Sequence, residues 1–189
     1  MINKFIKTAF AALSIAMLAA TFLPTASYAM DEIELVVGSA GTKSKLFEAG
    51  NGISMASVIG ANGVKVYNYG TKGDKDNLKR ISKKKRAINL ALVSAKGLAA
   101  ASDKQKKAIS GLIAIGKHKG DTILLIARNK APKGVSKDAY AKALSSVIAA
   151  IKGGKGMKFA QKSWSGFAPA QADAAFKTAG VRLHKAAMM

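Results

Sequence analysis

The stretch from Val64 to Ser94 constrains the fold more than any other part of the chain. It reads as an apolar run (VKVYNY), a glycine-punctuated loop (GTKGDKDN), a lysine-faced amphipathic segment (LKRISKKKRA), a second apolar run (INLALV) and then Ser94. Two short strands separated by a helix-length crossover pair in parallel, because a two-residue turn can only reverse the chain. The same unit occurs once before it. Ile33 to Val37 (IELVV) runs into Gly38, Ser39, Ala40, Gly41 and Thr42, as a buried parallel strand enters a tight turn. Lys45 to Ile59 then sets Leu46, Ala49, Ile53, Ala56 and Ile59 at helical spacing. Gly50 and Gly52 each weaken that helix by roughly 1 kcal/mol relative to alanine, a cost that close packing on the sheet would offset. The segment GANG, Gly60 to Gly63, stops it.

After Gly70, Thr71, Lys72 and Gly73, the residue Asp74 is placed to cap a helix running to about Lys85, with Leu78 and Ile81 inward and Lys79, Arg80, Lys83 and Lys84 outward. Ile88 to Val93 forms a third strand, and Ser94 caps a helix from Ala95 to Ala101. Right-handed crossovers then predict an α/β three-layer sandwich with a mainly parallel sheet, its first strands in the order 2-1-3. Ser102 to Lys107 is a charged connector or helical turn. Leu112 to Ile115 and Thr122 to Ala127 add strands around a turn, Gly116 to Asp121, so the sheet can become mixed there. Ser136 caps a helical stripe from Ala139 to Ile151, which Gly153, Gly154 and Gly156 break. The tail holds a short helix around Phe159, a turn from Trp164 to Pro169 that lids the core, and a helix from Ala170 to Ala179 stopped by Gly180.

The first 29 residues stand apart. Lys4 and Lys7 precede an apolar run from Ala9 to Ala20, and small residues surround Ala29, the pattern of a secretory signal peptide. Residues 30–189 are then expected as one exported, periplasmic domain. It has no cysteine, so packing alone must hold it together and thiol chemistry is excluded. The chain carries 31 Lys and Arg against 10 Asp and Glu, a formal charge of +21, and only two of the lysines lie in the leader. Such a field attracts anions of every kind. Nucleic acid is the less expected partner, because an aromatic content of 6% leaves few platforms on which bases can stack.

If the first three strands are parallel, their following loops share one edge, where helix N-termini present free N–H groups. Ser39, Gly41, Thr42, Lys43, Gly70, Thr71, Lys72 and Ser94 are therefore the candidate ligand-binding residues. The same glycines and hydroxyls also serve any βα unit as turns and caps. The run Lys83, Lys84, Lys85 and Arg86 is a candidate polyanion-binding patch, or simply a solvated helix end. Neither cofactor nor metal is expected: His118 and His184 are far apart, lack ligand spacing and read as surface residues. No G-x-S-x-G elbow and no acid–base pair emerges, so catalysis is not expected.

The motifs LVVGSAGTKSKLFEAG (Leu35 to Gly50), YGTKGDKDNLKRI (Tyr69 to Ile81) and INLALVSAKGLAAA (Ile88 to Ala101) resemble the N-terminal lobe of TAXI-type solute-binding proteins, which serve TRAP transporters. Those proteins close two lobes on a ligand, whereas this chain has room for one. Where the family often has a tyrosine pair after the first glycine loop, Lys45, Leu46 and Phe47 stand here. The resemblance implies a single lobe of a type II periplasmic binding protein that binds a small anionic or polar solute, with a membrane transporter or a second chain as partner. The alternative read from charge is a basic adaptor for an acidic protein, membrane surface or envelope polyanion.

Overall fold

A computed structural model of the chain describes residues 32–83, 88–154 and 169–185. All of them belong to one compact unit, Asp31–Met189. The expected leader, Lys84, Lys85 and Arg86 of the basic run, and the Phe159 and Trp164 segments lie outside the described residues.

The elements follow as β1 (Ile33–Gly38), α1 (Lys45–Gly60), β2 (Val64–Tyr69), α2 (Asp74–Ile81), β3 (Leu90–Ser94), α3 (Ala95–Ala99), α4 (Asp103–Lys107), β4 (Ile109–His118), β5 (Asp121–Arg128), α5 (Lys137–Lys152) and α6 (Pro169–Ala179). The five strands form one sheet in the order β2-β1-β3-β5-β4. β1 pairs in parallel with β2 and β3, as the crossover helices require, and the 2-1-3 order is as expected.

The other half of the sheet corrects the mainly parallel expectation. β5 is antiparallel to both β3 and β4. The cause is local. β4 and β5 are joined by Lys119 (φ 50°) and Gly120 (φ 76°), a two-residue connection with positive φ at both positions, which suits only a hairpin. Gly116, which reads as the start of the turn, has φ 157° and is ordinary extended strand, so both strands run longer than their apolar runs suggest.

Helices cover both faces, which completes three layers. α1 and α5 bury Leu35, Val37, Val66, Leu90, Leu92 and Leu125 on one face. α2, α3 and α6 bury Ala91, Val93, Leu124 and Ile126 on the other, with Phe176 of α6 fully buried among them. Each large side chain so buried stabilises the fold by about 1.5–3 kcal/mol. Two glycines admit close neighbours: a Cβ on Gly50 would lie 2.3 Å from Asn68 Oδ1, and one on Gly111 would lie 2.6 Å from the Phe176 ring. The Gly50 contact is the packing that offsets its cost to α1.

Both outer strands have backbone groups engaged, which blunts edge-to-edge pairing. On β2, Val66 N donates to Ser57 Oγ (2.9 Å) and Val66 O accepts from Ser54 Oγ (2.6 Å). On β4, Gly111 N donates to Arg182 O (2.5 Å) and Gly111 O accepts from His184 N (2.6 Å), an isolated parallel bridge at Leu183.

One helix, α2, differs from expectation at both its start and its end. Asp74 does not cap α2: the N-cap is Gly73, φ 89°, and the Asp74 carboxylate turns instead to Ser94. α2 also ends at Ile81 rather than near Lys85. Ser44, Ser94, Ser102 and Ser136 do cap α1, α3, α4 and α5.

Candidate functional site

Because β1, β2 and β3 are parallel, the loops after them emerge together, and the structure brings most of the candidate ligand-binding residues into contact. Their hydroxyls, however, are already bonded within the fold. Ser39 is fully buried and its Oγ donates to Asn68 Oδ1 at 2.8 Å. Thr71 donates through Oγ1 to Ser39 O (3.0 Å) and accepts from Gly73 N (3.2 Å). Ser94 Oγ donates to Asp74 Oδ2 (2.6 Å) while accepting from Gly97 N (2.9 Å).

At the centre sits Asn77, fully buried, whose Nδ2 donates to Ser39 O (2.7 Å) and Leu92 O (2.8 Å). Its Oδ1 has no hydrogen-bond partner. That oxygen lies 2.8 Å from where a Cβ on Gly38 would be, so only the glycine hydrogens fit against it. Asn77 and Asn68 are not among the candidates read from the sequence, and Asp74 reads there as a helix cap rather than as a partner of Ser94. One signal was available: Asn77 stands four residues before Ile81, on the same stripe of α2.

The helix N-termini at this edge are likewise occupied by groups of the chain. Asp76 Oδ2 accepts from Lys72 N at 3.2 Å and pairs with Arg80 Nε at 2.9 Å. Burial opposes ionisation of Asp76, but the Arg80 bond and the Lys72 amide outweigh it and hold the carboxyl below its usual range. Asp121 Oδ2 accepts from Lys96 N at the start of α3 (3.4 Å). Carboxylates thus stand where an anionic ligand would seek the dipole. Gly41, Thr42, Lys43, Gly70 and Lys72 remain solvent-exposed. Thr42 stands beside Gly70, its methyl 3.7 Å from a Cβ built there.

At the opposite edge, where β3 and β4 begin and β5 ends, lies a cavity of about 710 Å³. Lys106, Lys107 and Asp103 of α4 line it, with Asn129 after β5, Lys177 of α6 and Arg182. Its walls are set by main-chain bonds. Ser102 and Gln105 form a capping box that fixes the start of α4. Asn129 N donates to Ala108 O (3.0 Å) and Asn129 Nδ2 to Lys107 O (2.7 Å). α6 ends in a Schellman turn, with Val181 N on Phe176 O (3.0 Å), Gly180 N on Lys177 O (3.1 Å) and Gly180 at φ 66°.

Lys83 reaches the same edge, since its carbonyl accepts from Arg128 Nη2 at 2.7 Å and Arg128 pairs in register with Ile109, which also lines the cavity. Of the basic run, only Lys83 is described; it does not line the cavity, whose four cations come from elsewhere in the sequence. Nothing in a linear reading grouped Lys106, Lys107, Lys177 and Arg182.

A smaller cavity of about 180 Å³ adjoins Tyr140 and His184. Tyr140 donates to Arg128 O (3.1 Å), and its burial pushes the phenol pKa upward. His184 is half-buried rather than a free surface residue, its Nε2 3.3 Å from Ser145 Oγ. This pair is not an activated nucleophile, because Ser145 Oγ already donates to Ala141 O (2.9 Å). Among the described residues, no group of three or more His, Cys, Asp or Glu is arranged to hold a metal ion, and no helix is long and apolar enough to cross a membrane.

A scan against protein-family models finds no match to this chain, and a search of the curated proteins finds none either.

Proposed function

We propose that this protein is a noncatalytic basic binding protein of the cell envelope, and that it holds an anionic partner at the edge where β3 and β4 begin. The observation that carries this reading is the gathering there of Lys106, Lys107, Lys177 and Arg182. None of these side chains enters the three ion pairs found among the described residues, Lys45–Glu48, Lys65–Glu32 and Arg80–Asp76. Cations not neutralised within the fold are available to neutralise a partner. Exposed surface pairs contribute little to stability, so such a cluster is tolerated by the fold rather than needed by it.

The test is binding of long-chain inorganic polyphosphate to the purified chain across a salt series. Displacing condensed counterions through three or more contacts predicts an affinity loss on the order of tenfold between 50 and 200 mM salt. A triple change of Lys106, Lys107 and Lys177 to Gln should flatten that slope. Binding that ignores both salt and the triple change would sink the proposal.

A second reading places a small anionic or polar solute at the loop edge, as the resemblance to one lobe of a TAXI-type protein implies, with a second chain or a transporter completing the site. The exposure of Thr42, Lys43 and Lys72 around Gly70 favours it. Here Thr71→Val or Ser94→Ala would weaken ligand binding while salt has a modest effect.

A further inference from the structure

We infer that the cavity between α4, the start of β4 and the end of α6 is a binding site for a compact diphosphate-type group. The inference rests on the anionic-partner reading above and adds a defined pocket and ligand chemistry.

Four cations, Lys106, Lys107, Lys177 and Arg182, face one carboxylate, Asp103, across about 710 Å³. The competing explanation is that lysines near helix ends complement the carbonyls of the last turn. Four of those carbonyls are already partnered. Gln105 O accepts from Ala108 N, Lys107 O from Asn129 Nδ2, Phe176 O from Val181 N and Lys177 O from Gly180 N. What remains is the helix dipole, about half an elementary charge at the end of α6 and less for the five-residue α4. Four cations against one carboxylate leave a surplus of three charges, which two such ends cannot absorb.

The ligand class follows from that surplus. A phosphate monoester carries about −1.5 to −2 at neutral pH, so two adjoining phosphates match the excess, whereas a single carboxylate does not. Arg182 adds a planar donor fork suited to phosphate oxygens, and the lysines add point charges on flexible stems. Arg182 is also well placed: its own carbonyl accepts from Gly111 N, which ties the residue to the edge of β4. Asp103 limits the site from the other side, since a more extended anion would approach its carboxylate.

The experiment is calorimetric titration of the full purified chain with inorganic pyrophosphate at low salt. Saturable one-to-one binding is expected. The double change Lys177→Ala with Arg182→Ala should weaken it tenfold or more, and Asp103→Asn should tighten it two- to threefold, a sign that loss of folding does not mimic. The double change Lys43→Ala with Lys72→Ala, at the opposite edge, should leave it unchanged.

No saturable binding, or binding indifferent to the Lys177 and Arg182 changes, overturns the site. If pyrophosphate fails while polyphosphate still binds, the pocket is wrong and the broader anion reading stands. If neither binds, both fall. Competition by vesicles containing phosphatidylglycerol assigns the phosphate to a lipid headgroup, and its absence assigns it to a free solute; either result upholds the site.

Discussion

The two ends of the sheet use polar residues in opposite ways. Where β1, β2 and β3 end, Ser39, Thr71, Asn77, Asp74 and Ser94 are within hydrogen-bond reach of one another or of the main chain, and the network ties three loops together. Where β3 and β4 begin, main-chain amides and the Asn129 side chain bond carbonyls at the helix ends, and the charged side chains of Lys106, Lys107, Lys177 and Arg182 are left over. A polar group consumed by the fold shows itself in stability, and one left over shows itself in binding.

The largest effect is expected at Asn77. Replacing it with Ala removes a donor from two carbonyls, Leu92 O and Ser39 O, the latter keeping its bond from Thr71, and opens a small void, at an expected cost of about 2–3 kcal/mol. Chemical denaturation with an unchanged m-value is the readout. A loss under 1 kcal/mol would mean that the partnerless Oδ1 already cancels most of what Nδ2 contributes, and the loop edge would no longer count as a structural network.

Thr71→Val comes next. The methyl keeps the volume, but the donor to Ser39 O and the acceptor for Gly73 N disappear, at a cost of about 1–2 kcal/mol. Polyphosphate affinity should stay within twofold of the wild type. A stable variant that has lost its anion binding would move the ligand to the loop edge and reverse the comparison.

Much of the loop edge was legible in the sequence, because parallel strands buried on both faces leave β-branched runs between glycine turns, and IELVV and INLALV are such runs. The residues that meet there were correctly grouped, but the disposition of their hydroxyls depends on Asn68, Asn77 and Asp74, whose partners are 15 to 38 residues away in sequence. The basic cavity was not legible. It is assembled from Asp103 to Ile109, Asn129 and Lys177 to Arg182, which come together only through the β4–β5 hairpin and the bridge at Leu183. The hairpin turn lies within Gly116 to Asp121, as the sequence suggests, but its two central residues are not marked there, because Lys119 takes the left-handed position where Asn or Asp is the usual signal.

His184 gives a smaller, pH-dependent effect. Burial pushes its imidazole below the usual value, although a bond to the Ala141 backbone opposes this. A group with a lowered folded pKa binds its proton more tightly when undocked, so stability present at pH 7 is lost as pH falls below about 6.5 toward the folded value. Hydrogen exchange at Gly111, whose backbone holds the Arg182 to His184 segment, should slow less between pH 7 and pH 5 than its ordinary base-catalysed dependence requires, an excess that reports lost protection. His184→Gln should remove that excess. Exchange at Gly111 without the excess would mean that the bridge does not depend on the neutral ring.

The smallest effect is expected at Lys43 and Lys72, and it is the sharpest comparison of the two ends. Both are exposed, neither takes part in the ion pairs found among the described residues, and both stand beside loops whose other polar groups are already bonded. The double change to Ala should alter stability by less than about 0.5 kcal/mol. It should also reduce polyphosphate affinity only by the modest, salt-screened amount that two distant charges contribute to the field of a strongly basic protein. The matched double change of Lys106 and Lys107 to Ala should be equally silent in stability and should weaken binding several-fold more at the same ionic strength. Because both variants remove two positive charges, total charge cannot explain a difference between them. Equal losses would show that the protein acts through its overall field with neither edge privileged, and a larger loss at Lys43 and Lys72 would return the site to the ends of the parallel strands.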